Sequence, residues 1–342
     1  MRHLPLYIFL GIMAVTGGMM VRGAEYVSFA YQNNISSKLQ ANLLSLVVSS
    51  KEKEKDLRPV HLLFTGDIML GRAVGQIMDI RKDFKYPFLQ TASVLRSADL
   101  TFGNLEGPIT YSQNDVGSIY SFAFNPSVIE GLKYSGFDVL SLANNHIFDR
   151  GYEGMEDTMY FLNQSNINYV GVGKNEISAN KASIFMVRGI KFAFLAYTPF
   201  YSNSHVAWRE KGGLSRLDGN YIKDIVSKLK NEDEVDIVIV SMHFGDEYKK
   251  EAGNYQRELA KVLSEAQVDL IVGHHPHVVQ EIEKINETWV AYSLGNFVFD
   301  QTFEEDVRNG LVLSVLATKD GIQSVEGVPI YINDDYQPEF VK

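Results

Sequence analysis

Apolar positions in this chain gather into short continuous runs, and four of the runs share one plan: an aspartate opens each, and potential metal ligands close it. They read Asp99-Leu-Thr-Phe-Gly-Asn-Leu-Glu106, Asp138-Val-Leu-Ser-Leu-Ala-Asn-Asn-His146, Asp236-Ile-Val-Ile-Val-Ser-Met-His243 and Asp269-Leu-Ile-Val-Gly-His-His-Pro-His277. A fifth, His61-Leu-Leu-Phe-Thr-Gly-Asp67, lacks only the opening aspartate. Unbroken Val, Ile and Leu predict strands buried on both faces, and open α/β sheets bind ligands beyond the carboxyl ends of their strands. Asp67, Glu106, Asn145, His146, His243, His275 and His277 are therefore expected to converge at one end of a sheet.

Between these runs, Met69 to Arg81, Phe88 to Ser97, Ser127 to Ser135 and Gly154 to Gln164 read as helical connections, so strand alternates with helix as in a parallel sheet. Ser183-Ile-Phe-Met-Val187 and Lys191-Phe-Ala-Phe-Leu-Ala-Tyr197, separated by Arg188-Gly-Ile190, carry a hairpin signature. Thr288 to Val298, Leu311 to Leu316 and Val328 to Ile332 form a second region of that kind. Parallel strands in one half and hairpins in the other predict two sheets packed face to face, with helices outside. Ala196 to Asp218 reads as a long structureless loop holding Tyr197, Phe200, Tyr201, His205 and Trp208, either a substrate lid or plain surface packing.

Leu4 to Val21 carries no charge and has the length of a membrane-spanning helix. A cleaved signal peptide is the alternative, but a cut after Ala24 would set Arg22 where a small residue is expected. The expected division is a membrane anchor over 1–24, a juxtamembrane stalk over 25–58 with the alternating charges of Lys51 to Asp56, and a globular domain over 59–342.

Composition narrows the chemistry. With 342 residues the chain can bury a large core, and a net charge of −10 argues against nucleic acid as a partner. There is no Cys, which removes disulfides and thiolate chemistry. Of eight His, five close the runs described above. Carboxylate, amide and imidazole donors suit Mn, Fe or Zn. In an extended backbone the His-x-His spacing puts His275 and His277 on one side and turns His274 away. Asn145 offers an amide oxygen, and His146 beside it an imidazole able to protonate a leaving group.

The set Gly66-Asp-Ile-Met-Leu-Gly-Arg72, Gly103-Asn-Leu-Glu106, Ala143-Asn-Asn-His146, His243 with Gly245 and Glu247-Tyr248, Gly273-His-His-Pro-His277 and Tyr292-Ser-Leu-Gly-Asn-Phe-Val-Phe-Asp-Gln301 resembles the bacterial capsule-synthesis CapA family across Val60 to Leu316. That family includes membrane-anchored proteins of poly-γ-glutamate production. It is similar in turn to the calcineurin-like metallophosphoesterases, whose fold is a four-layered α/β/β/α sandwich with a two-metal site at the strand ends. The resemblance implies Asp67, Asn145, His243, His275 and His277 as metal ligands and His146 as proton donor. Two places depart from the metallophosphoesterase pattern. Met69 stands where a histidine ligand is expected, and Asn104 where a bridging aspartate is expected, with Glu106 nearby as a substitute ligand. One or two ions are therefore expected. Arg72, Asn104, Asn144, Asp149, Glu247, Asn296 and Asp300 take substrate-binding or supporting places, Asn296 with tight-turn chemistry as its alternative.

The resemblance implies a single-pass cell-membrane protein with an extracellular domain, taking part in synthesis or export of poly-γ-glutamate or a related anionic polymer. Its partners would be that polymer, the membrane and membrane-bound synthase or export subunits. A cell-surface hydrolase of phosphoesters or peptide-like amides, and a non-catalytic scaffold of the synthase complex, are the alternatives. Whether the chain is an enzyme stays open at this point.

Overall fold

The computed structural model describes residues 58–117 and 119–341, so the anchor and nearly all of the expected stalk lie outside the described residues. Within them the continuous apolar runs fold as strands covered on both faces. In chain order the strands are β1 Val60–Ile68, β2 Leu100–Leu105, β3 Val139–Ser141, β4 Asn168–Val170, β5 Val172–Gly173, β6 Ser183–Val187, β7 Ile190–Tyr197 and β8 Gly213–Leu214. There follow β9 Ile237–His243, β10 Leu270–His274, β11 Ile282–Ile285, β12 Thr288–Ala291, β13 Asn296–Val298, β14 Asn309–Thr318, β15 Gly321–Ile332 and β16 Pro338–Phe340.

One sheet runs β16-β15-β14-β1-β2-β3-β4, with β13 beside the end of β1, and a second runs β11-β12-β10-β9-β7-β6. The expected split into a parallel half and a hairpin half does not hold. β1 to β4 are parallel and β14 to β16 antiparallel in the first sheet. The second has a parallel centre of β7, β9, β10 and β12, edged by the antiparallel β6 and β11. Each sheet thus has its own parallel core, with hairpins at both edges of the second sheet and at one edge of the first, whose other edge is the parallel β4. Apolar content along the chain could not reveal this, because a hairpin strand looks the same whichever sheet it joins.

Side-chain alternation explains why the runs are unbroken. Along β9, Ile237 and Ile239 enter the core shared with the first sheet, while Val238, Val240 and Met242 enter a second core with Ile222, Val226, Ala260 and Leu263. β7 and β10 divide in the same way. Phe194 of β7 stacks on Phe102 of β2 at 5.8 Å, joining the sheets face to face. Helices α1 (Arg72–Arg81), α2 (Ala92–Leu95), α3 (Ile129–Ser135) and α4 (Gly151–Gln164) belong with the first sheet, burying Val74, Met78, Leu132, Met155 and Met159. After α5 (Glu176–Ala179), helices α6 (Gly219–Asn231) and α7 (Asn254–Glu265) cover the second sheet. The order is helix, sheet, sheet, helix.

The opening aspartates hold the register at the end opposite the ligands. Asp99 accepts from His61 N at 2.8 Å, Asp138 from Thr101 N at 2.8 Å, Asp236 from Lys191 N at 2.8 Å and Asp269 from Val238 N at 2.7 Å. The backbone N–H of each aspartate donates back to the carbonyl of that same residue. Every one of these strands is therefore clamped to its parallel neighbour by a two-bond ring.

Two local expectations change. The helix predicted from Met69 starts at Arg72, because Met69 N still donates to Val298 O at 2.9 Å and extends the strand pairing. The helix predicted over Phe88 to Ser97 is instead a 3-10 turn, Tyr86–Phe88, followed by the one-turn α2. Nor is Ala196 to Asp218 structureless, for β8 pairs with β5 inside that span. Among the described residues no helix is long and apolar enough to cross a membrane.

Candidate metal centre

The centre lies between the sheets at the carboxyl ends of the parallel strands. Asp67 is aimed there by a register irregularity in β1 between Phe64 and Asp67, of the kind that re-aims side chains next to active sites. Gly66 permits this, since a Cβ on it would fall 2.0 Å from Gly295 O. Asp67 Oδ1 accepts from Asn104 Nδ2 at 2.9 Å, and Oδ2 accepts from His275 N at 3.2 Å and lies 3.3 Å from His277 Nδ1. Burial alone would raise its pKa, yet the His277 bond and the surrounding imidazoles hold the carboxyl well below the usual range.

Glu106 is equally buried and behaves oppositely. Burial first, then the charge of Asp67, pushes its pKa well above the ordinary value. Its Oε2 accepts from Asn104 Nδ2 at 3.2 Å, whereas its Oε1 has no hydrogen-bond partner. That oxygen lies 3.7 Å from His277 Nε2 and 4.0 Å from His146 Nε2. Burial and then neighbouring imidazoles also depress the histidines, His243 well below its ordinary value and His275 to about 3. They are neutral at physiological pH, the form that binds metals.

Two ligand sets overlap here. Asp67, Glu106 and His277 form one and Glu106, His243 and His275 the other, with the candidate ligand atoms of each set within 4.8 Å of one another. Glu106 belongs to both, which answers to the bridging place that Asn104 cannot fill with charge. Asn145 adjoins the second set, its Oδ1 2.8 Å from His243 Nε2. Glu106 Oε1 and His275 Nδ1 are buried without partners, each costing about 1–3 kcal/mol in desolvation. A divalent cation would satisfy both, so the residues fit the group that the resemblance implies.

His275 and His277 do converge, with ring centroids 5.9 Å apart, but not by strand alternation. β10 ends at His274, and His275 and His277 adopt φ of 97° and 60°, a left-handed geometry unusual away from glycine. Backbone strain of this kind clusters at functional sites. His274 lies in neither set; its Nε2 is 3.2 Å from Thr65 O and its Nδ1 3.3 Å from Ser241 Oγ.

The supporting residues have definite tasks. Asn144 holds Asn104 Oδ1 at 3.2 Å and Leu105 O at 2.8 Å. Asn296 Oδ1 lies 2.9 Å from His277 Nδ1, leaving Nε2 to face Glu106, and Asn296 is itself fixed by Gln301 and Val307 O. Asp149 Oδ2 lies 2.8 Å from His146 Nδ1 and also accepts from Phe122 N at 2.7 Å, while the Phe122 ring lies 4.1 Å from the imidazole. Asp300 takes Ala73 N and Arg72 Nε at 3.1 and 3.2 Å, and Arg72, at φ 50°, sets its guanidinium 5.7 Å from the Phe122 ring. Both stand at the rim, outside the ligand sets. Met69 is buried, with its sulfur accepting from Gly71 N at 3.2 Å.

Four further residues bear on the centre, and two of them, Phe200 and Tyr201, lie in the aromatic loop read above as a substrate lid or surface packing. Phe200 lies 4.2 Å from the His275 ring, and Tyr201 donates to Asn145 O at 2.7 Å. Their signal was the aromatic loop, which covers the centre through these two side chains. Gln301 closes the last quoted motif, but nothing near Phe122 in sequence marks it.

These elements define a mixed α/β protein of the metallophosphoesterase-like fold with a buried acidic and imidazole centre. Residues 61–301 match the family described as Bacterial capsule synthesis protein PGA_cap, and the chain belongs to that family. It is 35% identical over 274 residues to the PGA biosynthesis protein CapA of Bacillus subtilis, covering 79% of this chain and 71% of that one. The Capsule biosynthesis protein CapA of Bacillus anthracis is 32% identical over 295 residues, 84% of this chain and 70% of that one. Among solved structures, the 5'-nucleotidase precursor of Thermus thermophilus shares the fold at a TM-score of 0.51 and 14% identity, covering 82% of this chain and 56% of that one.

Proposed function

We propose that this protein acts in making or exporting poly-γ-glutamate or a related anionic capsule polymer, through a divalent-metal centre facing the outside of the cell membrane. The family and the names of the two Bacillus relatives support the capsule and the polymer. The uncharged stretch Leu4 to Val21 supports the anchor, and membrane-bound synthase or export subunits are the partners it would meet.

The observation that carries a chemical role is His146. Asp149 holds its Nδ1 at 2.8 Å and Phe122 covers one face, so its Nε2 is presented toward Glu106 Oε1 at 4.0 Å. A scaffold needs no imidazole oriented in this way. A cation bound by Asp67, Glu106, Asn145, His243, His275 and His277 would supply charge that polarises a carbonyl or phosphoryl oxygen. Asp149 fixes the ring of His146, His146 delivers or holds a proton at Nε2, and Phe122 and Phe200 exclude water. The reaction class is proton-assisted cleavage or transfer at a polymer linkage.

The test is complementation of cells lacking the native copy. Asp67→Ala and His146→Ala should each abolish capsule while remaining folded and correctly localised, and His146→Ala should retain metal. General acid catalysis is worth about 10²–10⁴-fold, which polymer yield would register. Full capsule from both variants would instead mean a scaffold, and loss from Asp67→Ala alone a binding ion without acid catalysis.

A further inference from the structure

A third set of ligand atoms involves a residue outside the two buried sets. Glu247, His275 and His277 bring one candidate ligand atom each to within 4.8 Å of one another. Glu247 itself is exposed, four residues beyond His243 on the turn that leaves β9.

That turn is built to a fixed shape. Gly245 adopts φ 99°, where a Cβ would fall 2.5 Å from Gln256 Cδ, and Tyr248 adopts φ 63°. Tyr248 N donates to Pro276 O at 2.8 Å, the residue between the two histidines, and the Tyr248 ring lies 6.0 Å from that of His277. Two left-handed residues therefore bracket Asp246 and Glu247, and a backbone bond ties them to the His275-Pro276-His277 segment. On the other side of the set, the buried Nδ1 of His275 has no partner. Met69, deeper in the centre, turns its sulfur to Gly71 N and offers no oxygen or imidazole donor.

We propose that Glu247 is a metal ligand: its carboxylate closes the outer side of the ion held by His277, completing from the β9 turn a shell that the buried residues leave open. The inference rests on the metal-centre reading above. It moves Glu247 from a supporting place to the ligand set and gives the centre one ligand that reaches solvent.

The test is Mn²⁺ titration by calorimetry of the full-length chain in detergent after chelator treatment, comparing wild type, Glu247→Gln, Glu247→Asp and His277→Ala. Glu247→Gln should weaken Mn²⁺ binding by at least about tenfold, the lower end of what losing even an outer partner of a metal ligand costs. Glu247→Asp should recover part of the loss, and the metal-free protein should remain folded, because the side chain is exposed. Equal affinity and stoichiometry in Glu247→Gln and wild type, with binding lost in His277→Ala, would overturn the assignment of Glu247 alone. Absence of Mn²⁺ binding in wild type would overturn the metal centre and this ligand together.

Discussion

Asn104 Nδ2 lies 2.9 Å from Asp67 Oδ1, a neutral donor held against a buried carboxylate at the floor of the centre. The same nitrogen reaches Glu106 Oε2 at 3.2 Å, so one amide braces two buried acids whose side chains also interact directly. Asn104→Asp should therefore lower the stability of the metal-free protein by about 3–5 kcal/mol, the cost of an uncompensated buried charge. With Mn²⁺ the variant should recover more than wild type does. Melts with chelator and with Mn²⁺ check both halves, and an unchanged chelated melt would refute the bracing role.

Glu106→Gln separates stability from metal binding. The folded pKa of Glu106 is raised by burial and then by Asp67, so its contribution is present below the ordinary value of 4.5 and is lost as pH rises through the folded pKa. The chelated variant should gain stability over wild type at pH 7.5 more than at pH 4.5, while losing metal. Thermal melts at the two pH values, paired with elemental analysis, give the comparison.

His275 titrates with the opposite sign. Its folded pKa of about 3 lies below the ordinary 6.5, so its contribution is complete above pH 6.5 and disappears as pH falls toward 3. Chelated wild type should lose stability across that window, and His275→Gln should lose less. Parallel curves for the two proteins would show that burial of this imidazole carries no such linkage.

Replacing His275 and His277 together by Ala should remove bound metal and leave a folded domain, since neither histidine belongs to the two hydrophobic cores. Unchanged metal by elemental analysis would make the cluster structural. Loss of folding in the absence of metal would show instead that left-handed His275 and His277 help close β10 onto its neighbours.

Asp138→Ala tests the opposite end of the sheet. It leaves Thr101 N without the carboxylate it donates to at 2.8 Å, a loss of about 1–3 kcal/mol in urea unfolding. Metal content should not change, because the clamp and the ligands occupy opposite strand ends.

The strands were legible because burial on both faces leaves a plain mark, unbroken Val, Ile and Leu, and the gathering of candidate donors was legible because they close those runs. The opening aspartates were equally visible, but their task was not, since it depends on which strand lies alongside. The convergence of His275 and His277 was visible while its cause was hidden, because left-handed φ at a histidine has no sequence mark. The approach of Glu247 to the two imidazoles was hidden because it depends on the bond from Tyr248 N to Pro276 O, between segments apart in the chain. β14 and β15 looked like another hairpin region, and only pairing with β1 shows that they extend the first sheet.

The aspartate clamps make gauges of the strands. Seven positions separate Asp99 from Glu106, Asp138 from Asn145 and Asp236 from His243. One end of each interval is locked to a neighbour and the other carries a donor atom. A single-residue insertion inside any of them would carry its donor about 3.3 Å along the strand axis, beyond the reach of metal coordination. Divergence in what such proteins accept should therefore be confined to segments lying outside the gauged intervals, such as the aromatic loop after β7, where length can change without moving a donor.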